Sequence, residues 1–541
     1  MRPFLTLHDP AKAKAYYEAG LWRPETFYAL LRRQAAARPE ALALVDGRRR
    51  LTWAGLAAEV ERLAAAYEDL GLAPGDRLSL WLSNRLESVV AFLAAARQGL
   101  ACNPSLHRTY TTAEVATLLT RLDAKLLITE AGWGADRTDP TVEAALAETP
   151  CLAGLWDADA LPLADRAAPR APAADNPDAV AYLAFTSGTT GAPKCVMHSA
   201  NTLLANARDL ARDWALGAED VLLSLSPLSH HIAWVAVGQW LSAGCRLVTD
   251  DPPLGCARLD WLLESEATYV MGVPTHAMDI LAAQKARGLA RLGAVRTFYM
   301  AGAPIPPSVA EAFVAQGIKP QNIYGMTENS SHQYTHPDDS TATIVATCGR
   351  GGPGYRVAIA DSADPDRLLG PGEVGEIVGK GAALMLGYFD NQAAIDATFN
   401  RDGWFRSGDL GALDAEGNLT IHGRLKDLII RGGHNIHPSH IESLALRHPQ
   451  VEKAAAFPVA DERLGEKVCL AIIGTAEPMT LLAFLAAEGL SKYDMPEYFL
   501  RAEAFPLTPS GKILKRALAE AAKSGKIAPQ AIRYRAEETP S

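Results

Sequence analysis

Nine residues rich in threonine and glycine carry the clearest chemical pattern of the sequence. They run from Thr186 to Lys194 and follow an apolar stretch, residues 180–185, that we expect to form a strand. Two glycines allow the backbone to turn tightly and point its N–H groups at one anion, and Lys194 adds positive charge. No Gly-Lys-Ser/Thr triplet closes the segment, so it is not a Walker A loop. We predict a phosphate-binding loop with its hydroxyl and glycine positions at Thr186, Ser187, Gly188, Thr189, Thr190 and Gly191.

Further segments place other donor and acceptor groups along the chain. Tyr324 opens the run Tyr-Gly-Met-Thr-Glu, where its ring offers a flat face for a base and Thr327 offers a hydroxyl for a phosphate. Glu328 ends this run, and a carboxylate is a hard oxygen ligand suited to Mg²⁺ held together with phosphates. Asp409 follows Phe-Arg-Ser-Gly and can accept hydrogen bonds from both hydroxyls of a ribose. Taken alone, an aspartate after glycine is more often a turn residue.

In this order the segments resemble the motifs of the adenylate-forming superfamily, which contains acyl-CoA synthetases, adenylation domains and luciferases. The matching runs are 186–194, 324–328, 387–388, 404–409, 423–427 and 509–512. The resemblance extends from Leu51 to Leu518. Within the superfamily, the chain resembles the AMP-dependent synthetase and ligase family. It implies an enzyme that uses ATP, Mg²⁺ and, as co-substrate, coenzyme A.

The resemblance also implies a fold and a division of the chain. We expect an α/β protein whose large N-terminal domain, residues 1–425, is built from several subdomains with mostly parallel sheets and holds the ATP and acyl pockets. A small, mobile α+β C-terminal domain, residues 426–541, would carry the catalytic lysine.

The resemblance assigns roles to individual positions of this sequence. Thr327 and Glu328 would act in catalysis, with Glu328 as the Mg²⁺ ligand. Further ATP and AMP contacts are implied for Gly302, Ala303, Pro304, Tyr324, Gly325, Met326, Asp409 and Arg424. Lys426 would be the hinge of the C-terminal domain, and Gly432 and Gly433 would lie beside the pantetheine of CoA, where the lack of a Cβ allows close passage.

Lys512 is our first candidate for the catalytic lysine. When a carboxylate attacks the α-phosphorus, negative charge builds on the phosphoryl and carboxyl oxygens together. A lysine at that point stabilises the transition state electrostatically without transferring a proton. Lys515 and Arg516 nearby are expected to be solvent-facing or structural. The run ending at Lys512 also resembles sites where related synthetases are switched off by lysine acylation, so a lysine acyltransferase or deacylase is a candidate partner.

An acyl pocket is expected around the start of an apolar helix. His230 matches the family's pocket-entrance position by spacing, and His231 is a second candidate, although a satisfied buried histidine is an alternative for either. Ala233 stands where glycine is usual and the bulky Trp234 follows, which would shorten or narrow the acyl tunnel. No aspartate lies there to hold an ammonium, which favours a non-amino-acid carboxylate. Val273, Met300 and Ile305 would suit a compact apolar or ring-shaped acid.

Three histidines at every third position, His434, His437 and His440, could be mistaken for a metal cluster. Pro438 is expected to begin a helix there, so the three side chains would not share one helical face. Solvated or capping histidines are the better interpretation.

The elements that must position these residues can be drawn from periodicity. Thr52 is a predicted N-cap of a helix that ends at Gly71, and Leu78, Leu80 and Leu82 follow at strand spacing. Asn84 is expected to open a second helix that ends at Gly99. Repeated strand–helix units of this kind favour a mostly parallel α/β sheet. Residues 157–178, rich in Ala, Pro and Asp, are expected to form a surface connection.

Composition excludes several classes. The chain has 541 residues and a net charge of −10, which argues against nucleic acid or an anionic membrane as the main partner. Its seven cysteines are unpatterned, as expected in a reducing compartment. We find neither a signal-peptide core nor an apolar run of the ~18–20 residues that a membrane span needs, so a cytoplasmic protein is expected.

The sequence thus predicts an AMP-forming acid–thiol ligase. It would activate a small-to-medium alicyclic, aryl or medium-chain acid as acyl-AMP and then form the CoA thioester. An acyl-AMP ligase that loads a carrier-protein phosphopantetheine is the alternative, weakened because no carrier module follows Lys512. A nucleotide-binding protein without catalysis should lack Lys512, Glu328 or the loop at 186–194, and all are present. Luciferase-type oxygenation and a homodimer are left open.

Overall fold

The computed structural model describes residues 3–137, 146, 148–186, 193–507 and 513–534. The chain divides into two compact units. The larger unit contains residues 1–356, 379–399 and 416–419, and the second contains residues 357–378, 400–415 and 420–541. The second unit therefore takes in three stretches that precede residue 426, namely 357–378, 400–415 and 420–425. The family-derived boundary at 425/426 stays a prediction.

The larger unit has an α/β core of parallel strands and covering helices. Its strands are β1 (Leu42–Val45), β2 (Arg50–Thr52), β3 (Arg77–Trp81), β4 (Ala101–Asn103), β5 (Ala124–Thr129), β6 (Gly154–Asp157), β7 (Val180–Thr186), β8 (Lys194–Ser199), β9 (Val221–Ser224), β10 (Arg246–Thr249), β11 (Tyr269–Gly272), β12 (Thr297–Ala301), β13 (Lys319–Met326) and β14 (Ser330–Tyr334). Its helices span Pro10–Glu18, Phe27–Ala37, Trp53–Asp69, Glu87–Gln98, Thr112–Leu122, Ala200–Asp213, His231–Ala243, Arg258–Glu264, Pro274–Ala286, Pro307–Val314, Thr341–Ala346 and Gln392–Asp396. A 3₁₀ turn covers Ala158–Ala160.

Two sheets organise this unit. The first has the order β14-β13-β12-β11-β9-β10-β1-β2, and the second has the order β6-β5-β3-β4-β7-β8. Inner pairs are parallel, whereas the edge strands β14, β2 and β8 pair antiparallel with their neighbours. Helical crossovers that cover both faces of such sheets explain their near-continuous apolar strands.

The remaining strands form an antiparallel-rich part of the chain. They are β15 (Tyr355–Ala360), β16 (Gly375–Gly381), β17 (Phe405–Leu413), β18 (Leu419–Arg424), β19 (Ile429–Arg431), β20 (His434–Ile436), β21 (Val451–Asp461), β22 (Gly465–Gly474), β23 (Tyr498–Arg501) and β24 (Gln530–Ala531). Strands β15 to β18 make a four-stranded sheet in that order. Strands β20-β19-β22-β23-β24 make another, with β21 paired to β22, and the helices Pro438–Ala445, Pro478–Ala487 and Lys515–Lys523 accompany it. A 3₁₀ turn covers Leu425–Asp427.

Side chains alternate between two hydrophobic cores across the first sheet. On β12, Tyr299 and Ala301 belong to the core that contains Trp234, whereas Phe298 and Met300 belong to the other. This is the two-residue period of a pleated strand with both faces buried. Burial of a Phe or Met side chain such as Phe298 or Met300 contributes about 1.5–3 kcal/mol to the free energy of folding.

Several sequence predictions are confirmed at the level of single elements. The Thr52 hydroxyl accepts a hydrogen bond from the Gly55 N–H at 3.1 Å and so caps the first helix, and Gly71, just past its end, has φ +83°. Gly99 ends the next helix with φ +71°. The mixed α/β architecture with parallel sheets agrees with the predicted fold class. Among the described residues, no helix is long and apolar enough to cross a membrane.

The predicted start of the second helix at Asn84 is wrong. The helix begins at Glu87. Asn84 instead donates from Nδ2 to the carbonyl of Asp250 at 3.2 Å and accepts from the N–H of Leu228 at 2.8 Å. Its side chain is used to join loops distant in sequence, so it does not cap the helix next to it.

Candidate active site

A tight hairpin presents Thr327 and Glu328. Strands β13 and β14 pair antiparallel with Met326 opposite Ser330, and the Asn329 side chain accepts from the Met326 N–H at 3.1 Å. Gly325 is required beneath this turn, because a Cβ there would lie 1.7 Å from the carbonyl oxygen of Ser330. The backbone of Ser330 has φ +58°, a conformation that is costly for a residue other than glycine.

The Glu328 carboxylate is held by an aromatic hydroxyl. Tyr388 donates to Glu328 Oε1 at 2.9 Å, and the Lys194 ammonium lies 4.6 Å from the centre of the Tyr388 ring. Burial raises the pKa of Tyr388, as does the nearby Glu328 charge. The tyrosine therefore stays protonated. Its hydroxyl binds Glu328, and its ring contacts Lys194 at the end of the predicted phosphate loop.

Strand β8 connects these groups. On one side it pairs with β7, and on the other the Met197 N–H donates to the carbonyl of Gly387 at 3.0 Å. The segment with Gly387 also reaches the hairpin, because the N–H of Met385 donates to the carbonyl of Glu328 at 2.7 Å. The backbone that follows the phosphate loop is thus hydrogen-bonded to the segment that holds the carboxylate.

Neighbouring strand ends bring the predicted nucleotide residues together. Ala301 of β12 pairs with Ile323 of β13 in parallel register, so the exposed residues 302–304 and Tyr324 lie at adjacent carboxyl ends. In open parallel sheets this edge is where ligands bind. Gly302 takes φ +87°, and a Cβ there would lie 3.9 Å from Val273. Gly302, Ala303, Pro304, Tyr324, Gly325 and Met326 are therefore placed along one edge.

The two predicted pocket histidines lie at the start of the helix His231–Ala243. His230 is its N-cap residue, and its ring centre is 4.6 Å from that of His107. His231 contacts the Ser330 hydroxyl through Nε2 at 3.0 Å and the Tyr182 hydroxyl through Nδ1 at 3.3 Å. Burial lowers the pKa of His231 well below its usual range, so the ring is neutral at pH 7.

The other predicted pocket side chains divide between two cores. Trp234 is buried, its ring centre is 4.4 Å from that of Phe92, and its Nε1 donates to the Leu228 carbonyl at 2.7 Å. Met300 and Ile305 are buried in the core on the opposite face of β12. The structure therefore does not bring them together with Trp234, and their predicted pocket role stays a prediction.

The second unit joins two residues predicted to contact ribose. Arg424 Nε lies 3.3 Å from Asp409 Oδ1. Ser407 fixes the Asp409 backbone by accepting its N–H at 3.0 Å, and the Arg406 guanidinium is paired with buried Glu376 at 2.8 Å. Asp409 of β17 and Arg424 of β18 thus form an ion pair.

The hinge and thiol-site candidates lie close to each other in sequence. Lys426 is in the 3₁₀ turn Leu425–Asp427. Gly432 and Gly433 form the turn between β19 and β20 with φ +59° and +85°. The space that a Cβ of Gly433 would enter is open, whereas one on Gly432 would meet Leu464 at 3.2 Å.

His434 and His437 take different structural positions. His434 Nε2 lies 2.9 Å from Asp494 Oδ1, and the helix begins at Pro438 as predicted. His437 is the N-cap residue of that helix. Within the described ranges, no group of three or more His, Cys, Asp or Glu side chains is arranged to hold a metal ion. The predicted Mg²⁺ ligand Glu328 offers one carboxylate, a donor set that suits an ion usually bound by one or two carboxylates plus phosphate oxygens and water.

An ion pair lies beside the predicted catalytic lysine in sequence. Lys515 Nζ is 2.8 Å from Glu442, and their side chains are 20% and 14% exposed. The N–H of Ala456 donates to the same carboxylate at 2.7 Å. Burial raises the pKa of Glu442 although Lys515 acts to lower it. The structural alternative for Lys515 is confirmed.

Some predicted site residues fall outside the described residues. They are Ser187, Gly188, Thr189, Thr190, Gly191 and Lys512. Their flanks are described: Thr186 pairs with Lys194 across β7 and β8, and Leu507 bridges Ile513.

Sequence reasoning missed the residues that support the site. Tyr388 appeared only as part of a short run, and His107, Tyr182 and His198 were not singled out. His198 had one signal, a polar residue inside the apolar strand that follows the phosphate loop. The other contacts depend on tertiary packing and have no local signature.

Comparison with known proteins assigns the family. Residues 31–389 match the AMP-binding enzyme family, and residues 440–512 match the AMP-binding enzyme C-terminal domain. A medium-chain fatty-acid–CoA ligase of Escherichia coli (strain K12) is 30% identical over 533 residues, covering 95% of this chain and 93% of that protein. The chain belongs to the AMP-binding enzyme family, so the predicted adenylate-forming class is confirmed, as is its use of ATP.

A second relative is named for a different acid, and a solved structure is similar as well. A salicylyl-CoA synthase / salicylate adenylyltransferase of Streptomyces sp is 31% identical over 544 residues, covering 94% of this chain and 95% of that protein. ATP-bound MatB from Rhodopseudomonas palustris has a TM-score of 0.81 at 27% identity, covering 92% of this chain and 99% of that structure. These proteins are similar to the chain along nearly its whole length. They agree with the prediction of an AMP-forming acid–thiol ligase.

Proposed function

We propose that the protein is an ATP-dependent acyl-CoA ligase. In the first step a carboxylate oxygen attacks the α-phosphorus of ATP, the bond to the β-phosphate oxygen breaks, and acyl-AMP and pyrophosphate result. In the second step the CoA thiol attacks the acyl carbon, AMP leaves, and the thiol proton passes to solvent. The observation that carries the proposal is the hairpin bearing Thr327 and Glu328, tied through Tyr388 to the strand that follows the phosphate loop.

Nucleotide binding would use groups from several of the sequence motifs. The loop from Thr186 to Lys194 would surround the phosphates with N–H and hydroxyl donors. Tyr324 would lie against the adenine, and Asp409 with Arg424 would contact the ribose. Bound with the phosphates, Mg²⁺ neutralises their charge, and Glu328 would be its protein ligand.

The charged transition state would be stabilised by fixed groups. Thr327 would donate to the α-phosphate, and Lys512 would stabilise the oxygens on which charge builds. Residues 426–541 would then turn about Lys426, so that Gly432 and Gly433 admit the thiol. This use of one small domain in both steps rests on the family resemblance.

The substrate that we propose is a small-to-medium carboxylic acid without an amino group. Residues 230–234 carry two histidines and a tryptophan but no acidic group to hold an ammonium. Trp234 is buried next to Phe92 and Tyr182, which would shorten the space for a long acyl chain. Compact alicyclic, aryl or medium-chain acids fit this description best.

A carrier-protein phosphopantetheine is the second candidate acceptor. The Streptomyces relative is named both as a salicylyl-CoA synthase and as a salicylate adenylyltransferase, and the second description covers adenylation without naming CoA as the acceptor. The first half-reaction would be the same, and the source of the thiol would differ.

The test is acid-dependent AMP release over a panel of about twenty carboxylates, including alicyclic, aryl, straight-chain and amino acids. An acid that needs CoA and yields its thioester would support the proposal. Pyrophosphate exchange without thioester from CoA would move the assignment to a carrier protein. Exchange with no acid of the panel, together with failure to bind ATP, would contradict both candidates.

A further inference from the structure

A buried histidine contacts the backbone of the hairpin that presents the proposed catalytic groups. His198 lies on β8, is fully buried, and its Nε2 is 2.6 Å from the carbonyl oxygen of Thr327. Its Nδ1 is 2.9 Å from the hydroxyl of Thr202. Neither the sequence motifs nor the proposed reaction uses this histidine, although it touches the residue expected at the α-phosphate.

The protonation of this ring follows from its surroundings. Burial lowers the pKa of His198 to about 4, so the ring is neutral at pH 7 and carries one proton. A carbonyl oxygen only accepts, so the proton is on Nε2 and is donated to Thr327. Nδ1 is then the acceptor, and the Thr202 hydroxyl donates to it. One tautomer satisfies both contacts.

A second histidine supports the other end of the same turn. The rings of His198 and His231 are stacked, with centres 5.4 Å apart and planes at 27°. His231 in turn contacts the hydroxyl of Ser330, the first residue of β14. The two rings therefore hold the turn at Thr327 and at Ser330, the position whose backbone is strained.

The contact to Thr327 fixes a peptide plane. The carbonyl that His198 binds lies in the same plane as the Glu328 N–H, since the peptide bond is planar. The next carbonyl, that of Glu328, accepts from Met385 at 2.7 Å. Two consecutive peptide planes are thus held by donors from outside the hairpin. They flank the Cα of Glu328 on both sides and the Cα of Thr327 on one side, so they restrict the directions in which both side chains leave the backbone.

We propose that His198 is a positioning residue for the nucleotide phosphate, acting through the Thr327 carbonyl to aim the Thr327 hydroxyl at the α-phosphate. The inference rests on the proposed function, because it requires that Thr327 meets that phosphate. It adds a hydrogen bond between β8, the strand that follows the phosphate loop, and the β13–β14 hairpin of the other sheet. Free movement of the Thr327–Glu328 plane should weaken recognition of phosphate and leave recognition of adenosine intact.

The test compares AMP with adenosine, which lacks the phosphate, by titration calorimetry without any acid substrate. In His198→Met the donor is lost, and AMP affinity should fall about tenfold, or ~1.4 kcal/mol, while adenosine affinity stays within about twofold. In His198→Gln the amide nitrogen can take the place of Nε2, so AMP affinity should return to within about threefold of the original. Asparagine is too short to do so, and His198→Asn replaces the methionine variant if the latter does not fold.

A matched control is available in the same unit. His336 also places Nε2 near a backbone carbonyl, that of Gly351 at 2.8 Å, but it does not touch the 326–330 turn. His336→Met should leave the ratio of AMP to adenosine affinity unchanged. Equal losses of AMP and adenosine affinity in His198→Met, or no loss of either, would overturn the inference. Failure of the unaltered protein to bind AMP would overturn the proposed function as well, which separates the two.

Discussion

Tyr388 and Glu328 are joined by a hydrogen bond of 2.9 Å between the phenolic hydroxyl and Oε1. The bond links two segments that are 60 residues apart and brings the proposed Mg²⁺ ligand to a defined position. A carboxylate held in this way needs little reorganisation when a charged ligand arrives, which is the condition for electrostatic catalysis.

We expect Glu328→Gln to lower acid-dependent pyrophosphate exchange by about 100-fold, because a neutral amide is a poor ligand for Mg²⁺. AMP binding measured without Mg²⁺ should be nearly unchanged. Tyr388→Phe is the matched variant, since it keeps the ring and removes only the hydroxyl. It should lower exchange about fivefold, the effect of one hydrogen bond of ~1 kcal/mol. An equal loss of metal-free AMP binding would show that the glutamate acts on the nucleotide itself.

The pair formed by Asp409 and Arg424 leads to a prediction about ribose. Asp409→Ala should weaken ATP binding about tenfold, the loss of a charged hydrogen bond. An ATP analogue without both ribose hydroxyls should bind the original protein more weakly by a similar factor. If Asp409 contacts the ribose, the variant should bind ATP and this analogue equally well. A further loss with the analogue in the variant would place the ribose elsewhere.

For Lys512 the two half-reactions should respond differently. Replacement by alanine, or acetylation of the side chain, should lower acyl-AMP formation by about 100-fold or more, because a positive charge is lost where negative charge builds. Thioester formation from supplied acyl-AMP and CoA should be kept. Lys523→Ala, on the helix that follows, is the control and should change neither step. Full acyl-AMP formation by the acetylated enzyme would remove both the catalytic role and the regulatory hypothesis.

The ion pair between Lys515 and Glu442 predicts a pH-dependent stability. Lys515→Met leaves a largely buried carboxylate without its cation, at a cost of about 3 kcal/mol near neutral pH. Burial already raises the pKa of Glu442, and the substitution should raise it further. A raised carboxyl pKa gives stability that is present below the unfolded value and lost as pH rises through the folded one. The melting temperature of the variant should therefore fall more at pH 8 than at pH 5, relative to the original protein.

Glu442→Gln serves as the control for that pH dependence. It removes the titrating group while keeping an oxygen that can accept from the Ala456 N–H. The double variant with Lys515→Met should show no extra loss between pH 5 and pH 8. The same slope with and without the carboxyl group would assign the pH dependence to other residues.

Trp234 tests the proposed size of the acid. Trp234→Ala should cost about 3–5 kcal/mol of stability, because it opens a cavity beside Phe92. It should also move the preference in CoA-dependent AMP release towards longer or larger acids. Trp234→Phe removes less volume and should shift both quantities less. A preference that does not change with either variant would show that the tryptophan only fills the core.

The parts of the fold that could be predicted are those with a local physical cause. The hydroxyl of Thr52 caps its helix whatever surrounds it, and Gly71 and Gly99 are needed where φ is positive. Asn84 was assigned to a helix start because its type suits one, yet long-range bonds to Asp250 and Leu228 use the same side chain. The neighbouring sequence does not show that distant backbone groups compete with the helix start for the Asn84 side chain.

The candidate site shows the same division. Chemical type and the resemblance to the family's ordered motifs were enough to name Thr327, Glu328 and Asp409 as candidates, and their roles stay predictions. The supporting contacts of Tyr388 and His198 were not predictable, since they depend on how distant strands pair. The core that Met300 faces depends on the register of its strand. A strand that is apolar and buried on both sides has no periodic pattern from which that register can be predicted.

The alternation along β12 has a practical consequence for changing what the enzyme accepts. Residues 299 and 301 share a core with Trp234, while 298 and 300 pack behind the sheet. If Trp234 borders the acyl pocket, as proposed, a library aimed at new substrates would vary residues 299 and 301 and keep residues 298 and 300 constant. All four side chains are buried, so variation of either pair has a cost in stability, and compensating changes at 298 and 300 could restore stability to variants at 299 and 301.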